Sequence, residues 1–213
     1  MPAIIKIDSP DGQLTGVWEI TEPENELLKK VALTEAEKAT LATFKATARR
    51  LQWLAVRALL QEFRTNNPVI EYKENGKPFF ADHSEEISIS HSGKLAAIAL
   101  HASKTPGVDA EELHPRIHKI ASRFINSEEQ AYMEDNTLLE QLCTIWAAKE
   151  VLYKIHPKGL LSFRENFLIS RFNMADTGTI KGTIRKGNIA TEHNMAYKKV
   201  GNYILVYTNY ATE

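Results

Sequence analysis

The sequence predicts an α+β protein made of two similar lobes packed side by side. In each half of the chain, segments with helical periodicity are followed by short segments that alternate as antiparallel strands do. A run of turn-forming residues, Lys104-Thr105-Pro106-Gly107, separates the two halves. We therefore expect a first lobe at 1–103 and a second lobe at 104–213.

The first half begins with strands and continues with helices. Apolar residues near Ile4 and Trp18 indicate opening strands. Two capping-box spacings follow, at Thr21 with Glu24 and at Thr34 with Glu37. They predict a short helix and then a long amphipathic helix that ends near Asn66-Asn67-Pro68, because proline cannot continue a helix. Strands are predicted next at 69–73, 87–90 and 95–101.

The second half repeats this order of elements. A helical region is predicted from Arg116, and a second helix follows a third capping-box spacing, Thr137 with Glu140. Apolar segments then predict four strands, near Phe167, Ile180, Met195 and Ile204. Helix followed by antiparallel strands in both halves is the basis of the two-lobe prediction.

The composition excludes several classes of protein. A net charge of −1 leaves no broad basic surface for nucleic acid. No apolar run reaches the roughly 18 residues of a membrane-spanning helix, and the first residues lack a signal-peptide core. We therefore expect a cytoplasmic protein. The single cysteine, Cys143, excludes an internal disulfide and is expected to be a small buried or half-buried thiol within a helix.

Two acidic residues after the Pro-Gly break are expected to share one face of a strand. Alternation along an extended chain sends Asp109 and Glu111 to one side, and Val108 and Ala110 to the other. Two hard oxygen ligands on one face are suited to a divalent cation such as magnesium.

A third carboxylate is expected on the second helix. Helical geometry puts Trp146, Glu150 and Lys154 in one row, with Glu150 about 130° from the middle of the apolar stripe. Glu150 is therefore free to face a cleft and to join Asp109 and Glu111 in a magnesium site. Zinc is a weaker interpretation, because the nearby His114 and His118 lack a third partner.

Taken together, these segments resemble the 4′-phosphopantetheinyl transferase superfamily, specifically its longer, monomeric, surfactin-synthetase-activating type. That family carries Gly-(Ile/Val)-Asp-x-Glu and, further on, Trp-(Ser/Cys/Thr)-x-Lys-Glu-(Ala/Ser)-x-x-Lys, and here Glu111 and Glu150 are 39 positions apart. Three further segments agree: Arg49 to Arg57, Asn75-Gly76-Lys77-Pro78 and Ile87 to Gly93. The chain departs from the pattern at Ala147, Val151 and Ser88, where no charged group is lost.

The resemblance implies an activity and an architecture. The activity is magnesium-dependent transfer of 4′-phosphopantetheine from coenzyme A to a serine of an acyl or peptidyl carrier protein, with release of adenosine 3′,5′-bisphosphate. The architecture is a pseudo-twofold pair of lobes with the active site at their interface. Glu150, directly or through a metal-bound water, is the first choice for the base that takes the serine proton, and Glu129 is the second. Lys154 is expected to place a positive charge at the phosphates.

The resemblance also implies a set of coenzyme contacts in the first lobe. Arg50 and Arg57 lie seven apart on one helix face and could grip a phosphate, whereas Arg49 is expected to point elsewhere. The other coenzyme contacts expected are Lys77, Ser90 and His91. Carrier proteins are typically acidic, and a possible basic surface for them consists of Arg116, His118, Lys119 and Arg123.

Two other functions stay open at this point. Three carboxylates would equally serve another magnesium enzyme, such as a phosphohydrolase or nuclease. A binding module without catalysis could hold coenzyme A or a carrier protein. The Gly-Lys-Pro and Ser-His-Ser segments weigh against the first function, and retention of all three carboxylates together with Lys154 weighs against the second.

Overall fold

The computed structural model describes residues 4–66, 68–156 and 161–210, and it confirms the predicted α+β class. The first half contains β1 (Ile4–Asp8), β2 (Leu14–Glu19), α1 (Glu24–Lys30), α2 (Glu35–Thr43), α3 (Thr47–Phe63), β3 (Ile70–Tyr72), β4 (Pro78–Phe80), β5 (Glu86–Ser92) and β6 (Leu95–His101). Four of these strands form an antiparallel sheet in the order β1-β2-β6-β5, and β3 pairs with β4.

The single long helix predicted after Thr34 is wrong, because the chain forms α2 and α3 instead. Phe44 and Ala46, between the two helices, have extended backbone angles. The break lets Phe44 pack edge-on against Trp53 of α3, with ring centroids 6.1 Å apart. α3 ends at Phe63, before the predicted end, and Asn67 lies outside the described residues.

The capping-box predictions have mixed outcomes. At Thr34 and Glu37 both hydrogen bonds of the box are present, so this prediction is confirmed. The box predicted at Thr21 and Glu24 does not form: the cap residue of α1 is Pro23, which has no side-chain acceptor, and the Glu24 carboxylate binds Arg50. Thr137 likewise forms no cap hydrogen bond. It ends a short 3₁₀ turn that runs directly into the next helix.

The second half forms another antiparallel sheet beneath a long helix. Its elements are β7 (Val108–Glu112), α4 (Ser127–Gln130), α5 (Leu138–Ile155), β8 (Phe167–Ile169), β9 (Thr177–Lys186), β10 (Ile189–Val200) and β11 (Tyr203–Thr208). The sheet order is β7-β11-β10-β9-β8. All four strands predicted after α5 are confirmed. The helical region predicted from Arg116 consists of 3₁₀ turns, Pro115–Lys119 and Ala121–Arg123, in which only Ile117 is buried.

Three buried apolar clusters hold these elements together. One lies between α1 to α3 and the first sheet, and a second lies between α5 and the second sheet. The third joins the two sheets and consists of Val17, Leu95, Ala97, Ala99, Val108, Ala110 and Leu205. The two-lobe symmetry and the boundary after Ser103 stay predictions. None of the helices in the described ranges has the length and apolar character needed to cross a bilayer.

Candidate active site

β7 and α5 bring the three predicted carboxylates into one electrostatic environment. Burial, and then the charge of Asp109, raise the pKa of Glu111 to about 7. Burial, and then the charge of Asp109, also raise the pKa of Glu150 to about 7, against the opposing effect of Lys154. The carboxylates share this environment because α5 packs closely against the start of β7. A Cβ at Gly107, just before β7, would lie 2.8 Å from the Val151 side chain of α5. The cluster therefore carries mutual repulsion that a cation would relieve.

Asp109 is buried and firmly held. Its Oδ1 accepts a hydrogen bond from Ser90 Oγ at 2.7 Å and another from Lys154 Nζ at 2.8 Å. Lys154 also donates to the Val108 carbonyl at 2.7 Å. The lysine thus ties the last turn of α5 to β7 and places one positive charge directly beside the acidic cluster.

Glu150 and Glu111 have fewer partners than Asp109. Within the described part of the chain, no group donates a hydrogen bond to the half-buried Glu150 carboxylate, and it forms no ion pair. Glu111 lies 3.6 Å from Arg116. Glu150 therefore keeps a carboxylate with a pKa near neutrality and free oxygens, as a general base requires.

The three carboxylates supply the type of donor atom, a hard oxygen, that magnesium prefers. Among the residues the structure describes, no three or more His, Cys, Asp or Glu side chains are arranged closely enough to hold a metal ion. Magnesium, however, usually takes only one or two carboxylates and keeps several waters. A partly buried cluster in which Asp109 raises the pKa values of Glu111 and Glu150 is consistent with that mode of binding, and these three residues are the ones that would hold the ion.

A cavity of about 360 Å³ opens beside this cluster, between the two halves of the chain. It is lined by Asn75, Gly76, Lys77, Pro78, Ser88, Ile89, Tyr153 and Lys154. Gly76 has a φ of +81° and its N–H donates to the Lys73 carbonyl, which closes the turn that carries Lys77. The Lys77 ammonium lies 3.1 Å from Glu86. The structure thus brings Lys77 and Lys154 to one cavity, and their contact with a phosphate stays a prediction.

A second cavity of about 200 Å³ adjoins the first and has a basic lining. The two share Gly76, Pro78 and Ile89, and the second is also lined by Arg49, Trp53, Val56, Arg57, Tyr72 and His91. Arg49 Nη1 contacts His91 Nε2, which must accept because a guanidinium only donates. Burial, and then the charge of Arg49, lower the pKa of His91. His91 is therefore neutral at pH 7, and Arg49 supplies the cation.

The expectation that Arg49 points away from the site is wrong, and Arg50 takes the position expected for Arg49. Arg50 forms two hydrogen bonds with Glu24, at 2.8 and 2.5 Å, and a third with the Leu41 carbonyl at 2.6 Å. Arg50 and Arg57 do share a helix face, but that face packs against α1 and α2. There Arg57 is paired with Glu37 at 2.8 Å. Arg57 still reaches the second cavity, whereas Arg50 lies outside both.

Ser90 also has a partner that the sequence does not reveal. Its hydroxyl donates to Asp109 and accepts from the Ala110 N–H at 3.2 Å, so it is not free to bind a phosphate. The alternation of Ser88, Ser90 and Ser92 along one strand predicts that the three point to the same side, but it does not identify Asp109 as a partner. Its coenzyme-binding role stays a prediction that this hydrogen bonding does not favour.

Glu129 is buried in a structural network and cannot serve as the base. It caps α4 with Asn126, lies 2.7 Å from Lys149 Nζ and accepts from the Ile169 N–H at 2.9 Å. Lys149 also donates to the carbonyls of Phe124 and Phe163, and both charged side chains are fully buried. Such a pair fixes the loops around α5.

Cys143 is buried as predicted, and burial raises the pKa of its thiol to about 12.

Comparison with known proteins agrees with the resemblance drawn from the motifs. Residues 105–208 match the family model of the 4′-phosphopantetheinyl transferase superfamily. That range contains all three carboxylates and Lys154. The four residues lie on β7 and α5, the two elements that build the acidic cluster.

Three relatives illustrate the similarity. The 4′-phosphopantetheinyl transferase AcpT of Escherichia coli (strain K12) is 36% identical over 112 residues, covering 50% of this chain and 57% of that protein. AcpT of Salmonella typhimurium is 33% identical over 122 residues, covering 54% and 64%. The 4′-phosphopantetheinyl transferase HetI of Nostoc sp. is 25% identical over 168 residues, covering 70% and 71%. The chain thus spans less than two thirds of the length of these AcpT relatives.

Proposed function

We propose that this protein, which belongs to the 4′-phosphopantetheinyl transferase superfamily through residues 105–208, transfers 4′-phosphopantetheine from coenzyme A to a serine of an acyl or peptidyl carrier protein. The two adjoining cavities form one cleft. The observation that carries the proposal is that the acidic cluster and Lys154 lie at one end of this cleft, whereas Arg49 and His91 line its other end. Coenzyme A carries a pyrophosphate and a separate phosphate, so it can present one anionic group to each end of this cleft.

The cleft supplies positioning and charge for the reaction. Arg49, with His91 and the buried Arg57, would hold the terminal phosphate, because guanidinium groups bind phosphate through charge-assisted hydrogen bonds. Lys77 and Lys154 would neutralise the pyrophosphate along the first cavity. Holding both ends of the coenzyme orients the phosphorus for attack, and orientation is a large part of catalysis in phosphoryl transfer.

The chemical step joins the carrier serine to phosphorus. The serine oxygen forms a bond to the phosphorus that bears the pantetheine arm, and the P–O bond to the other phosphate breaks. Adenosine 3′,5′-bisphosphate leaves with the electron pair, and the serine proton passes to Glu150. A magnesium ion held by Asp109, Glu111 and Glu150 would supply positive charge for the pyrophosphate oxygens. Lys154 contributes a further charge where the leaving group develops its own.

The test of this proposal is to incubate the protein with coenzyme A, magnesium and an unmodified carrier protein, and then to weigh the carrier by mass spectrometry. We expect the carrier to gain one phosphopantetheine group. Hydrolysis of coenzyme A with an unchanged carrier would indicate a phosphohydrolase instead. Binding of either partner with no product would indicate a binding module. The natural carrier, the monomeric state and the cytoplasmic location stay predictions.

We expect magnesium to raise the Tm of the protein, and to raise it more at about pH 8 than at about pH 5.5. The pKa values of Glu111 and Glu150 rise from 4.5 to about 7 on folding. The folded protein thus binds more protons than the unfolded chain, and the metal-free protein loses stability as pH rises through this range. Magnesium at about 100 times its Kd adds about 2.7 kcal/mol, or roughly 5 to 10 °C in Tm.

Thermal unfolding with magnesium and with a chelator, at both pH values, measures this effect. The Glu150→Gln variant is the control and should respond less at the higher pH. An equal response of the unmodified protein at both pH values, or no response at either, would remove the metal assignment.

We expect the adjacent arginines Arg49 and Arg50 to differ in function. Arg49→Gln should weaken coenzyme A binding about ten-fold or more, because it removes a charge-assisted contact, and should leave Tm almost unchanged. Arg50→Gln should lower Tm, because it leaves Glu24 unpaired, and should leave the affinity nearly unchanged. Calorimetric titration with coenzyme A and thermal unfolding of both variants test the pair. Equal loss of affinity in both folded variants would contradict the position assigned to the phosphate.

A further inference from the structure

Three serine hydroxyls connect the edge of the first sheet to the edge of the second. Ser88, Ser90 and Ser92 occupy alternate positions on β5, and their Oγ atoms accept from the backbone N–H groups of alternate residues on β7. The three pairs are Val108 N to Ser88 at 3.1 Å, Ala110 N to Ser90 at 3.2 Å and Glu112 N to Ser92 at 3.2 Å. β5 and β7 are thus joined by side chains rather than by a backbone ladder. We call this set of contacts the serine ladder.

Only one member of the serine ladder uses its proton on an acidic side chain. Ser90 donates to Asp109 Oδ1 at 2.7 Å. In the described part of the chain, the hydroxyls of Ser88 and Ser92 donate to no protein group. A hydroxyl has one proton, and in Ser90 both its donation and its acceptance are directed to consecutive residues of one strand. The orientation of the Ser90 hydroxyl is therefore fixed by β7 itself.

We propose that Ser90 is a positioning residue for Asp109, which it orients for binding a divalent cation. The Asp109 carboxylate has one oxygen, Oδ1, held from two directions by Ser90 and Lys154. Its plane is thereby fixed, and Oδ2 is left for the ion. Both residues are buried, so water does not substitute readily for a lost hydroxyl. The inference rests on the proposed function, because it assumes that Asp109 is a magnesium ligand.

The same residue was expected from the sequence to touch the coenzyme, and the two roles lead to different results. A coenzyme contact would, on replacement of Ser90, raise the KM for coenzyme A and leave the requirement for magnesium unchanged. A positioning residue would raise the magnesium requirement and lower kcat, with little change in coenzyme affinity measured without metal.

The experiment compares Ser90→Ala with Ser92→Ala in the full chain. Each variant loses one acceptor for a β7 N–H, but only Ser90→Ala loses the hydrogen bond to Asp109. The readout is the magnesium concentration that gives half of the maximal rise in Tm. We expect Ser90→Ala to need about ten-fold more magnesium, in line with the loss of other groups that orient metal ligands, and Ser92→Ala to need no more than the unmodified protein.

An unchanged magnesium requirement in folded Ser90→Ala would overturn the proposal, as would an equal increase in Ser92→Ala. If Ser90→Ala fails to fold, Ser90→Cys, which keeps a weaker donor, should show an intermediate requirement, and a normal requirement there would also overturn it. Because the readout is metal binding, it is independent of transfer. If the unmodified protein responds to magnesium, and Ser90→Ala needs more of it, but the carrier assay fails, the proposed function is rejected and the role of Ser90 stands.

Discussion

Replacement of Glu150 by Gln is expected to lower phosphopantetheine transfer about a thousand-fold while the fold is kept. The Glu150 carboxylate has no hydrogen bond or ion pair within the described part of the chain, so the isosteric amide should disturb nothing else. The change removes the proposed base, which alone is worth roughly a hundred- to ten-thousand-fold, and also one negative charge of the magnesium site. Carrier mass spectra measure the loss of transfer, and Tm values show whether the fold is kept.

The same helix provides a matched control. Glu140 lies two to three turns earlier on α5, is paired with Lys199 at 3.4 Å, and is not among the residues that line either cavity. Glu140→Gln makes the same chemical change and should retain nearly full transfer. A folded Glu150→Gln variant that transfers at more than about a tenth of the normal rate would exclude Glu150 as the base.

Asp109→Asn is expected to abolish transfer as well, but for a reason that also affects stability. The amide keeps the shape but loses the charge that faces the Lys154 ammonium at 2.8 Å. A charged group left without its partner in a partly buried site destabilises the fold, so Tm should fall in this variant and not in Glu150→Gln. The two variants thus separate loss of chemistry from loss of an ion pair.

Residues 1–103 and 104–213, produced separately, are expected to show no transfer. The three carboxylates and Lys154 lie in the second segment, whereas Arg49, Lys77 and His91 lie in the first, so neither segment contains a whole cleft. Separation also exposes the apolar cluster between the sheets and breaks the serine ladder. It breaks the buried contact of Gln13 with Thr208 too, where the two side chains meet at 2.5 Å.

Production of both segments in one cell is the complementary measurement. If the interface alone is responsible, the pair should assemble and recover transfer that neither segment has. A second segment that modifies a carrier protein by itself at a rate close to that of the intact chain would refute the shared cleft. It would also remove the role given to the first half.

Local sequence was sufficient for the strands, for one helix cap and for the placement of the acidic side chains on their elements. The capping box of Thr34 and Glu37 involves groups three residues apart, and the alternation of Asp109 and Glu111 follows from the geometry of any strand. The position of Glu150 off the core stripe follows equally from helical periodicity. These features depend on neighbours within about one turn or one pleat, and a single sequence contains that information.

Partners distant in the chain were decided by tertiary packing alone. Arg50 binds Glu24, 26 positions away, and Ser90 binds Asp109, 19 positions away. The shared face of Arg50 and Arg57 was predictable, but which surface it meets depends on how α1 and α2 fold over α3. That packing is set by burial of a whole apolar cluster, to which many residues contribute together and no short motif corresponds. For this reason the sequence predicted charged side chains on α3, and only the fold decided that Arg49, rather than Arg50, lines the basic cavity.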